Sequence, residues 1–340
     1  MSECELWLSE GDGKIICTAC IRRCGITMGR LGFCNTRKNE SGNLKSLTYG
    51  HPSSIAVDPI EKKPLFHFHP GTLVYSIGGW GCNFCCAHCQ NHDIAHIVPK
   101  LSEKQELLPE MLVADAISKE AQGVAFTFNE PAIWPEYVGD TFKIAKAKGL
   151  YTAVITNGTF SKESLDCIGS HTDAYRVDIK GMTDLTLSRI GITNIDPAEI
   201  LENTIYARDR YSMHVECVTN IIPTVNDSDS ELLAIATWIR DNLGPRVPWH
   251  VTRFYPALRF RHLMPTDLAI LEKAERIGHQ VGLNFIYIGN VHTTSGENTF
   301  CPRCQALVVE REGFRIKENF SVRGRCTRCG EDLGIIDNDR

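Results

Sequence analysis

Apolar and polar residues in the middle of the chain alternate in a pattern typical of strands and helices that follow one another. Short β-rich apolar segments, such as YTAVIT at 151–156, precede longer amphipathic stretches. The predicted strands are 72–77, 124–128, 151–156, 173–179, 214–222, 249–254 and 284–288, and the predicted helices are 110–120, 131–149, 183–190, 197–208, 229–242 and 266–281. Repeated strand–helix units build a parallel sheet, so the pattern predicts an α/β fold. About six or seven units are too few for a closed barrel, which leaves a partial barrel or an open doubly wound sheet.

Two sections without this alternation flank the central array. The first contains four cysteines, a turn rich in Gly, Asn and Ser at 39–43, and short extended segments near 44–49 and 54–57. The last contains two CxxC pairs on either side of a β-rich segment at 306–309. We therefore predict three parts, namely a Cys-rich metal-binding section at 1–70, the α/β array at 71–297 and a small module at 298–340.

Composition and charge exclude several classes of protein. The 340 residues are 43% hydrophobic and carry a formal net charge of −5, which argues against a nucleic-acid-binding or membrane-surface protein. No apolar run reaches the roughly 18 residues needed to span a bilayer. The acidic N-terminus lacks the apolar core of a signal peptide. We expect a cytoplasmic protein that binds neither membranes nor nucleic acid.

Cysteine is the unusual component, with 15 residues that mostly lie in four tight clusters. The odd number and the absence of a signal peptide argue against a disulfide framework. Such clustering suits metal ligation, because several thiolates must converge on one ion or cluster. The sequence therefore predicts metal binding.

The cluster in GGWGCNFCCAHCQN has the spacing C-x3-C-x2-C at Cys82, Cys86 and Cys89, directly after the first predicted strand of the array. Parallel α/β folds place their chemistry at this end of the strands. Three thiolates can ligate three irons of a [4Fe–4S] cluster and leave the fourth iron open for a substrate or cofactor. Because Cys85 lies in the same segment, two alternatives remain. The cluster ligands could be Cys82, Cys85 and Cys89, or all four cysteines could form a zinc knuckle.

This loop resembles that of the radical S-adenosylmethionine (SAM) enzymes. The resemblance selects Cys82, Cys86 and Cys89 as cluster ligands, and it implies a partial (βα)6 TIM-type barrel with an N-terminal Cys-rich extension and a small zinc-ribbon-like tail. It further implies that SAM chelates the open iron and is cleaved to a 5′-deoxyadenosyl radical that abstracts hydrogen from a substrate. His88 stands where the family often has an aromatic residue.

Two motifs in the first half of the array support the resemblance. TFNEP at 127–131 is similar to the family's Gly-Gly-Glu-Pro motif, which implies that Asn129 and Glu130 hold the amino group of SAM. The alternative is an acidic residue in the first turn of a helix. TNG at 156–158 also closes a predicted strand, which makes Asn157 a candidate cofactor-binding residue.

Three further candidates lie on later strands. Asp178 and Lys180 of DIKG alternate with an apolar residue and share one face of a strand. DIKG resembles the same family, which implies that these two residues contact SAM or the substrate backbone; the alternative is an ion pair inside the barrel. His250 of HVTRFYP matches a position near SAM, although a lone histidine at a strand start is also commonly structural. Glu216 and Thr219 are expected to line the barrel without an assigned role.

Two cysteine sets lie outside the array. The N-terminal quartet (Cys17, Cys20, Cys24 and Cys34) is a closed four-ligand site for zinc or a second Fe–S cluster, and the spacing does not discriminate between them. The C-terminal quartet (Cys301, Cys304, Cys326 and Cys329) predicts a structural zinc site, and the alternatives are an electron-relay Fe–S cluster, a rubredoxin-like iron and a partner-docking module. Cys4, Cys167 and Cys217 are expected to be unligated.

The chain resembles most the branch that contains the glycyl-radical (pyruvate formate-lyase) activating enzymes, and within it the radical SAM protein of the AmmeMemoRadiSam system. This resemblance implies an oxidoreductase that abstracts hydrogen either from a protein, such as a glycyl-radical enzyme, or from another substrate such as a small molecule. Its implied partners are a flavodoxin-like or ferredoxin-like electron donor and AMMECR-like or Memo-like proteins. The alternatives from other classes are a non-catalytic zinc or Fe–S scaffold and an electron-transfer protein.

Overall fold

The structure, a computed structural model, describes residues 2–3, 5–99, 106–291 and 296–337. The strands are β1 (Ser2–Glu3), β2 (Trp7–Gly11), β3 (Lys14–Cys17), β4 (Gly25–Ile26), β5 (Arg37–Glu40), β6 (Asn43–Ser46), β7 (Ser54–Pro59), β8 (Leu73–Gly78), β9 (Gly123–Thr127), β10 (Tyr151–Thr156), β11 (Ala174–Asp178), β12 (His214–Ile221), β13 (Trp249–Arg253), β14 (Ile286–Gly289), β15 (Thr299–Phe300), β16 (Leu307–Glu312), β17 (Arg315–Asn319), β18 (Ser321–Val322) and β19 (Arg325–Cys326). The helices are α1 (His92–Ala95), α2 (Pro109–Ser118), α3 (Pro135–Ala147), α4 (Lys162–Ile168), α5 (Asp184–Ile190), α6 (Pro197–Tyr211), α7 (Asp229–Trp238) and α8 (Leu268–Val281).

The largest sheet contains eight strands in the order β14-β13-β12-β11-β10-β9-β8-β7. Strands β8, β9 and β10 pair in parallel, and so do β12, β13 and β14. The strand order follows the chain without the reversal that defines a doubly wound sheet. The predicted α/β class is therefore confirmed, and the sequential order favours the partial barrel over the doubly wound sheet.

The central strands β9 and β10 form where the sequence is mainly apolar. All six residues of β10 and all five of β9 are buried, as expected of strands covered on both faces. The helix predicted from residue 131 begins later than expected. A short 3-10 turn (Pro131–Ile133) comes first, and α3 starts only at Pro135, because the residue before a proline is disfavoured in the helical region.

The chain divides into two compact units. The first comprises Met1–Asp58, Leu73–Tyr175 and Gly191–Met213. The second comprises Pro59–Thr72, Arg176–Ile190 and His214–Arg340. The predicted three-part division at residues 70 and 297 stays a prediction. Among the described residues, no helix is both long enough and apolar enough to span a membrane.

In the first unit, the N-terminal section is built from two small sheets with orders β2-β3-β4 and β1-β6-β5. Its core contains Ile15, Ile26 and Leu44 together with Cys17. The buried Arg37, which is 1% exposed, donates two hydrogen bonds from its guanidinium to the Glu136 carboxylate at 2.6 and 2.8 Å. This pair joins the N-terminal section to the first turn of α3.

In the second unit, the C-terminal module is built from the sheet β15-β16-β17 and the hairpin β18-β19. Its core includes Tyr287 of β14, Phe285 directly before that strand, and Phe66 from the segment before β8. Phe68 forms a parallel bridge with Ile336, and the His69 amide donates to the Ile336 carbonyl at 2.8 Å. The module therefore shares its apolar core with the end of the main sheet.

Candidate active site and metal centres

The cluster loop (residues 79–91) follows β8 and is fastened by the side chain of Asn129. Asn129 Oδ1 accepts from the Gly79 amide at 2.9 Å, and Asn129 Nδ2 donates to the Gly81 carbonyl at 2.6 Å. Asn91 Nδ2 donates to the Phe128 carbonyl at 2.6 Å. Both ends of the loop are thus hydrogen-bonded to the residues that follow β9.

The loop brings Cys82, Cys86 and Cys89 close enough to influence one another electrostatically, whereas Cys85 is exposed. Desolvation, together with the charges of Glu130, Cys86 and Cys89, raises the pKa of the Cys82 thiol well above its ordinary value. A thiolate at Cys82 therefore requires a compensating cation, as a metal ligand does. This arrangement fits an iron–sulfur cluster held by three cysteines, and the choice of Cys86 over Cys85 as a ligand stays a prediction.

Glu130 joins the ends of β9 and β10. Its carboxylate, 1% exposed, accepts from the Ala132 amide at 2.9 Å, from Thr156 Oγ1 at 2.6 Å and from the Asn157 amide at 2.7 Å. Hydrogen bonds to a buried carboxylate stabilise its charged form and fix its position. In this geometry Glu130 holds two strand ends together, and its predicted contact with SAM stays a prediction.

A chain of amide and hydroxyl groups connects the end of β10 to the cluster loop. Asn157 Nδ2 donates to Asn83 Oδ1 at 2.9 Å, and Asn83 Nδ2 donates to Thr159 Oγ1 at 2.6 Å. Arg22 Nε donates to the Asn83 carbonyl at 3.1 Å. Asn157 therefore positions the residue next to Cys82. Asn83, Thr159 and Arg22 were not among the sequence candidates, because their partners are distant in the chain.

Three of the predicted cofactor residues lie in the second unit. Asp178 forms ion pairs with Arg176 and Lys180, the latter at 3.0 Å between Nζ and Oδ2. Burial would raise the pKa of the Asp178 carboxyl, but the two cations hold it at about 2. This is the ion pair that the sequence left open as an alternative, and the contact of Asp178 and Lys180 with SAM stays a prediction.

His250 belongs to a buried network centred on Glu216. The Glu216 carboxylate lies 2.7 Å from His250 Nε2 and 3.0 Å from His214 Nε2. It also accepts from the backbone amides of Phe66 and His67 at 3.0 and 2.8 Å. Although burial opposes ionisation, these histidines hold the pKa of Glu216 well below its ordinary value. The network fastens the segment before β8, a role of Glu216 that the sequence did not reveal, and the SAM contact of His250 stays a prediction.

The N-terminal quartet lines one cavity in the first unit. Its members Cys17, Cys20 and Cys34 are buried and Cys24 is half-buried. Thr36 Oγ1 donates to Cys34 Sγ at 3.2 Å. The four cysteines are thus brought together, as expected of a metal site.

The C-terminal quartet has the geometry of a mononuclear site. The Sγ atoms of Cys301 and Cys329 are 3.5 Å apart, and those of Cys304 and Cys326 are 3.7 Å apart. Four sulfurs at 2.3 Å from a tetrahedral zinc ion would lie about 3.8 Å from one another. The quartet therefore fits the predicted zinc site in ligand type, number and spacing.

The fold and the loop together define an α/β partial-barrel protein with a three-cysteine site after its first parallel strand. The sequence profile described as the Radical SAM superfamily matches residues 77–239, which begin at the end of that strand and include the cluster loop. The chain belongs to the radical SAM superfamily. Membership implies a [4Fe–4S] cluster and SAM as cofactors.

The chain is also similar to two proteins of known sequence and to one solved structure. The chain is 39% identical to the uncharacterized protein MJ0808 of Methanocaldococcus jannaschii, over 99% of this chain and 100% of that protein. It is 26% identical to the pyruvate formate-lyase-activating enzyme of Clostridium pasteurianum, over 47% of this chain and 67% of that enzyme. A radical SAM methyltransferase from Sphaerobacter thermophilus superposes with a TM-score of 0.51 at 16% identity, over 65% of this chain and 67% of that one, which shows the shared fold.

Proposed function

We propose that the protein binds a [4Fe–4S] cluster through Cys82, Cys86 and Cys89 and uses it to cleave SAM reductively. The observation that carries this proposal is the cluster loop, in which these three cysteines lie close together and Cys85 is exposed. The cluster, when bound together with SAM, would supply the electron that cleaves SAM to methionine and a 5′-deoxyadenosyl radical. The radical would then abstract hydrogen from a substrate.

The residues around the loop hold its backbone and the neighbouring strand ends in place through hydrogen bonds. Asn129 fixes the backbone at Gly79 and Gly81, directly before the first cysteine. Glu130 and Asn157 fix the neighbouring strand ends through buried hydrogen bonds. Precise placement of a reactive group requires such supporting contacts, because a small displacement reduces the rate strongly. Asn129, Glu130 and Asn157 are therefore assigned as positioning residues.

The proposed substrate is a protein. Support comes from the relative that is named for activating pyruvate formate-lyase, which is itself a protein. The electron would come from a flavodoxin-like or ferredoxin-like donor. AMMECR-like and Memo-like proteins are the proposed partners, on the resemblance alone. Co-expression of each candidate with this chain, followed by mass spectrometry and radical detection on the candidate, would support the assignment if a modification requires Cys86.

The test is mass spectrometry for 5′-deoxyadenosine after anaerobic incubation of reconstituted protein with SAM and dithionite. We expect product from the wild type and from Cys85→Ala, and none from Cys86→Ala. Cys85→Ala is the matched control, since it removes an adjacent but exposed cysteine. Product from Cys86→Ala but not from Cys85→Ala would establish the alternative register. No product from protein shown to contain a [4Fe–4S] cluster would overturn the proposal.

We also propose that the C-terminal quartet binds one zinc ion that stabilises the module. Zinc would hold β15, β16 and β19 together, because the ligands lie beside these strands in a shared apolar core. Metal analysis of the wild type and of Cys304→Ser tests this. We expect loss of one zinc per chain and a lower melting temperature in the variant. Equal zinc content in both proteins would contradict the assignment.

A further inference from the structure

The N-terminal quartet is arranged differently from the C-terminal one. Among the residues that the structure describes, only the C-terminal quartet has three or more ligand atoms that all lie within 4.8 Å of one another. The N-terminal thiols line one cavity but are spread more widely around it. A single tetrahedral ion would require sulfurs about 3.8 Å apart. The N-terminal arrangement therefore lacks the compact geometry of a mononuclear zinc site.

A wider spread is the arrangement that an iron–sulfur cluster requires. Each cysteine of such a cluster binds a metal atom at a different corner, so the thiolates do not crowd around one ion. The sulfurs of the cluster-loop cysteines (Cys82, Cys86 and Cys89) likewise do not all lie within 4.8 Å of one another. By this internal comparison, the N-terminal quartet is similar to the loop that is proposed to bind a cluster and differs from the proposed zinc site.

The N-terminal cavity also lies directly behind the cluster loop in the first unit. Asn83, the neighbour of Cys82, lines this cavity together with the quartet, and its carbonyl accepts from Arg22. A Cβ atom placed on Gly81 would lie only 2.2 Å from the Cys34 carbonyl oxygen. The backbones of the two cysteine-bearing segments are therefore in direct contact. Asn83, which lines the cavity, is the residue that follows Cys82, the first ligand of the cluster loop.

Charge around the cavity suits an anionic cluster. Arg22 and the buried Arg37 line it, and Thr36 donates its hydroxyl to the Cys34 sulfur. Hydrogen bonds to sulfur and nearby charge set the potential of an iron–sulfur cluster. These groups would stabilise four thiolates and the added electron of a reduced cluster.

We propose that Cys17, Cys20, Cys24 and Cys34 bind a second iron–sulfur cluster that relays electrons to the cluster of the loop. A one-electron donor protein of the flavodoxin or ferredoxin class would be oxidised as the second cluster is reduced, and that electron would then reduce the loop cluster. No bond forms or breaks and no proton is transferred in this step. The relay rests on the proposed function, whereas the presence of a second cluster does not.

The first experiment measures iron, sulfide and zinc in anaerobically purified protein. The variant Cys82→Ala/Cys86→Ala/Cys89→Ala removes the loop ligands and leaves the N-terminal quartet intact. We expect it to retain acid-labile sulfide and roughly half of the iron, together with one zinc per chain. Cys167→Ala, which removes an exposed cysteine, is the matched control and should keep the full iron content. A triple variant that contains two zincs and no iron would overturn the proposal.

The second experiment separates the relay from the proposed function. Cys20→Ala/Cys34→Ala should retain the loop cluster and form 5′-deoxyadenosine with dithionite. Driven by a reduced flavodoxin, it should form product at least an order of magnitude more slowly than wild type. Equal rates with flavodoxin would overturn the relay. If the wild type forms no product while the triple variant keeps its cluster, the proposed function fails and the second cluster stands. A double variant that fails to fold leaves the decision to the metal analysis.

Discussion

Gly81→Ala tests whether the contact between the N-terminal section and the cluster loop is as close as the structure shows. Gly81 has φ +77°, and its added Cβ would lie 2.2 Å from the Cys34 carbonyl oxygen and 2.7 Å from Thr36 Cγ2. The left-handed conformation costs an alanine about 1–2 kcal/mol. Carbon–oxygen contacts are comfortable at about 3.3 Å, so the two backbones must separate by roughly 1 Å. Overpacking of this kind costs about 1–3 kcal/mol more.

Gly42→Ala is the matched control, because it has the same strain without the contact. Gly42 has φ +86° in the turn between β5 and β6, and an added Cβ would meet no atom within 4 Å. Chemical denaturation of both variants under anaerobic conditions should therefore show Gly81→Ala to be less stable by about 1–3 kcal/mol. Its iron content should fall as well, because the displaced segments carry cysteines of both candidate sites. Equal stability and equal iron content in the two variants would refute the reasoning.

Three further predictions follow from buried polar contacts. Arg37→Met should destabilise the protein by about 3 kcal/mol, because it leaves the Glu136 carboxylate without the Arg37 guanidinium. Arg37→Met/Glu136→Leu should recover most of this loss, and chemical denaturation of the single and double variants in a double-mutant cycle measures the difference. Asn129→Ala removes two hydrogen bonds of about 1 kcal/mol each from the cluster loop, so the variant should lose its iron faster than the wild type. The iron that stays with the protein is measured after gel filtration at successive times, and an unchanged rate of loss would contradict the assigned role. Burial lowers the pKa of His67 to about 3. The unfolded chain therefore binds a proton at this histidine more readily than the folded protein does, so the free energy of unfolding has its full value above the unfolded pKa of about 6.5. It falls by up to ~1.4 kcal/mol per pH unit as the pH decreases towards 3. The lowered pKa of Glu216 adds a loss of the same sign below about pH 4.3. Denaturation midpoints that do not change between about pH 7 and 4.3 would contradict the assignment for His67, and a loss that does not become steeper below about pH 4.3 would contradict the assignment for Glu216.

Elements that depend on local patterns were predictable from the sequence. β10 coincides with the predicted strand at 151–156, and β12 differs from its prediction by one residue. Buried parallel strands are continuous apolar segments, so their pattern is strong without knowledge of neighbours. Cysteine spacing likewise predicted the three candidate metal-binding sets, because ligands of one site are commonly close in the chain.

Contacts between distant residues were not predictable in this way. Asn129 binds Gly79, which precedes it by 50 residues, and Glu216 binds the amide of Phe66, which precedes it by 150 residues. Each of these side chains is an ordinary polar residue in its local sequence. Its role depends on which backbone groups the fold places beside it, and no periodicity or spacing records that. The sequence also left the identity of the N-terminal metal open, because the spread of the thiols is visible only in three dimensions.

The central claim is that SAM binds the open iron of a cluster held by Cys82, Cys86 and Cys89. The most direct measurement is electron–nuclear double resonance on the reduced protein with SAM that carries a heavy nitrogen isotope in its methionine amino group. We expect hyperfine coupling between that nitrogen and the cluster in the wild type, and its loss in Cys86→Ala. A reduced cluster in the wild type that shows no coupling to the labelled SAM would contradict the claim.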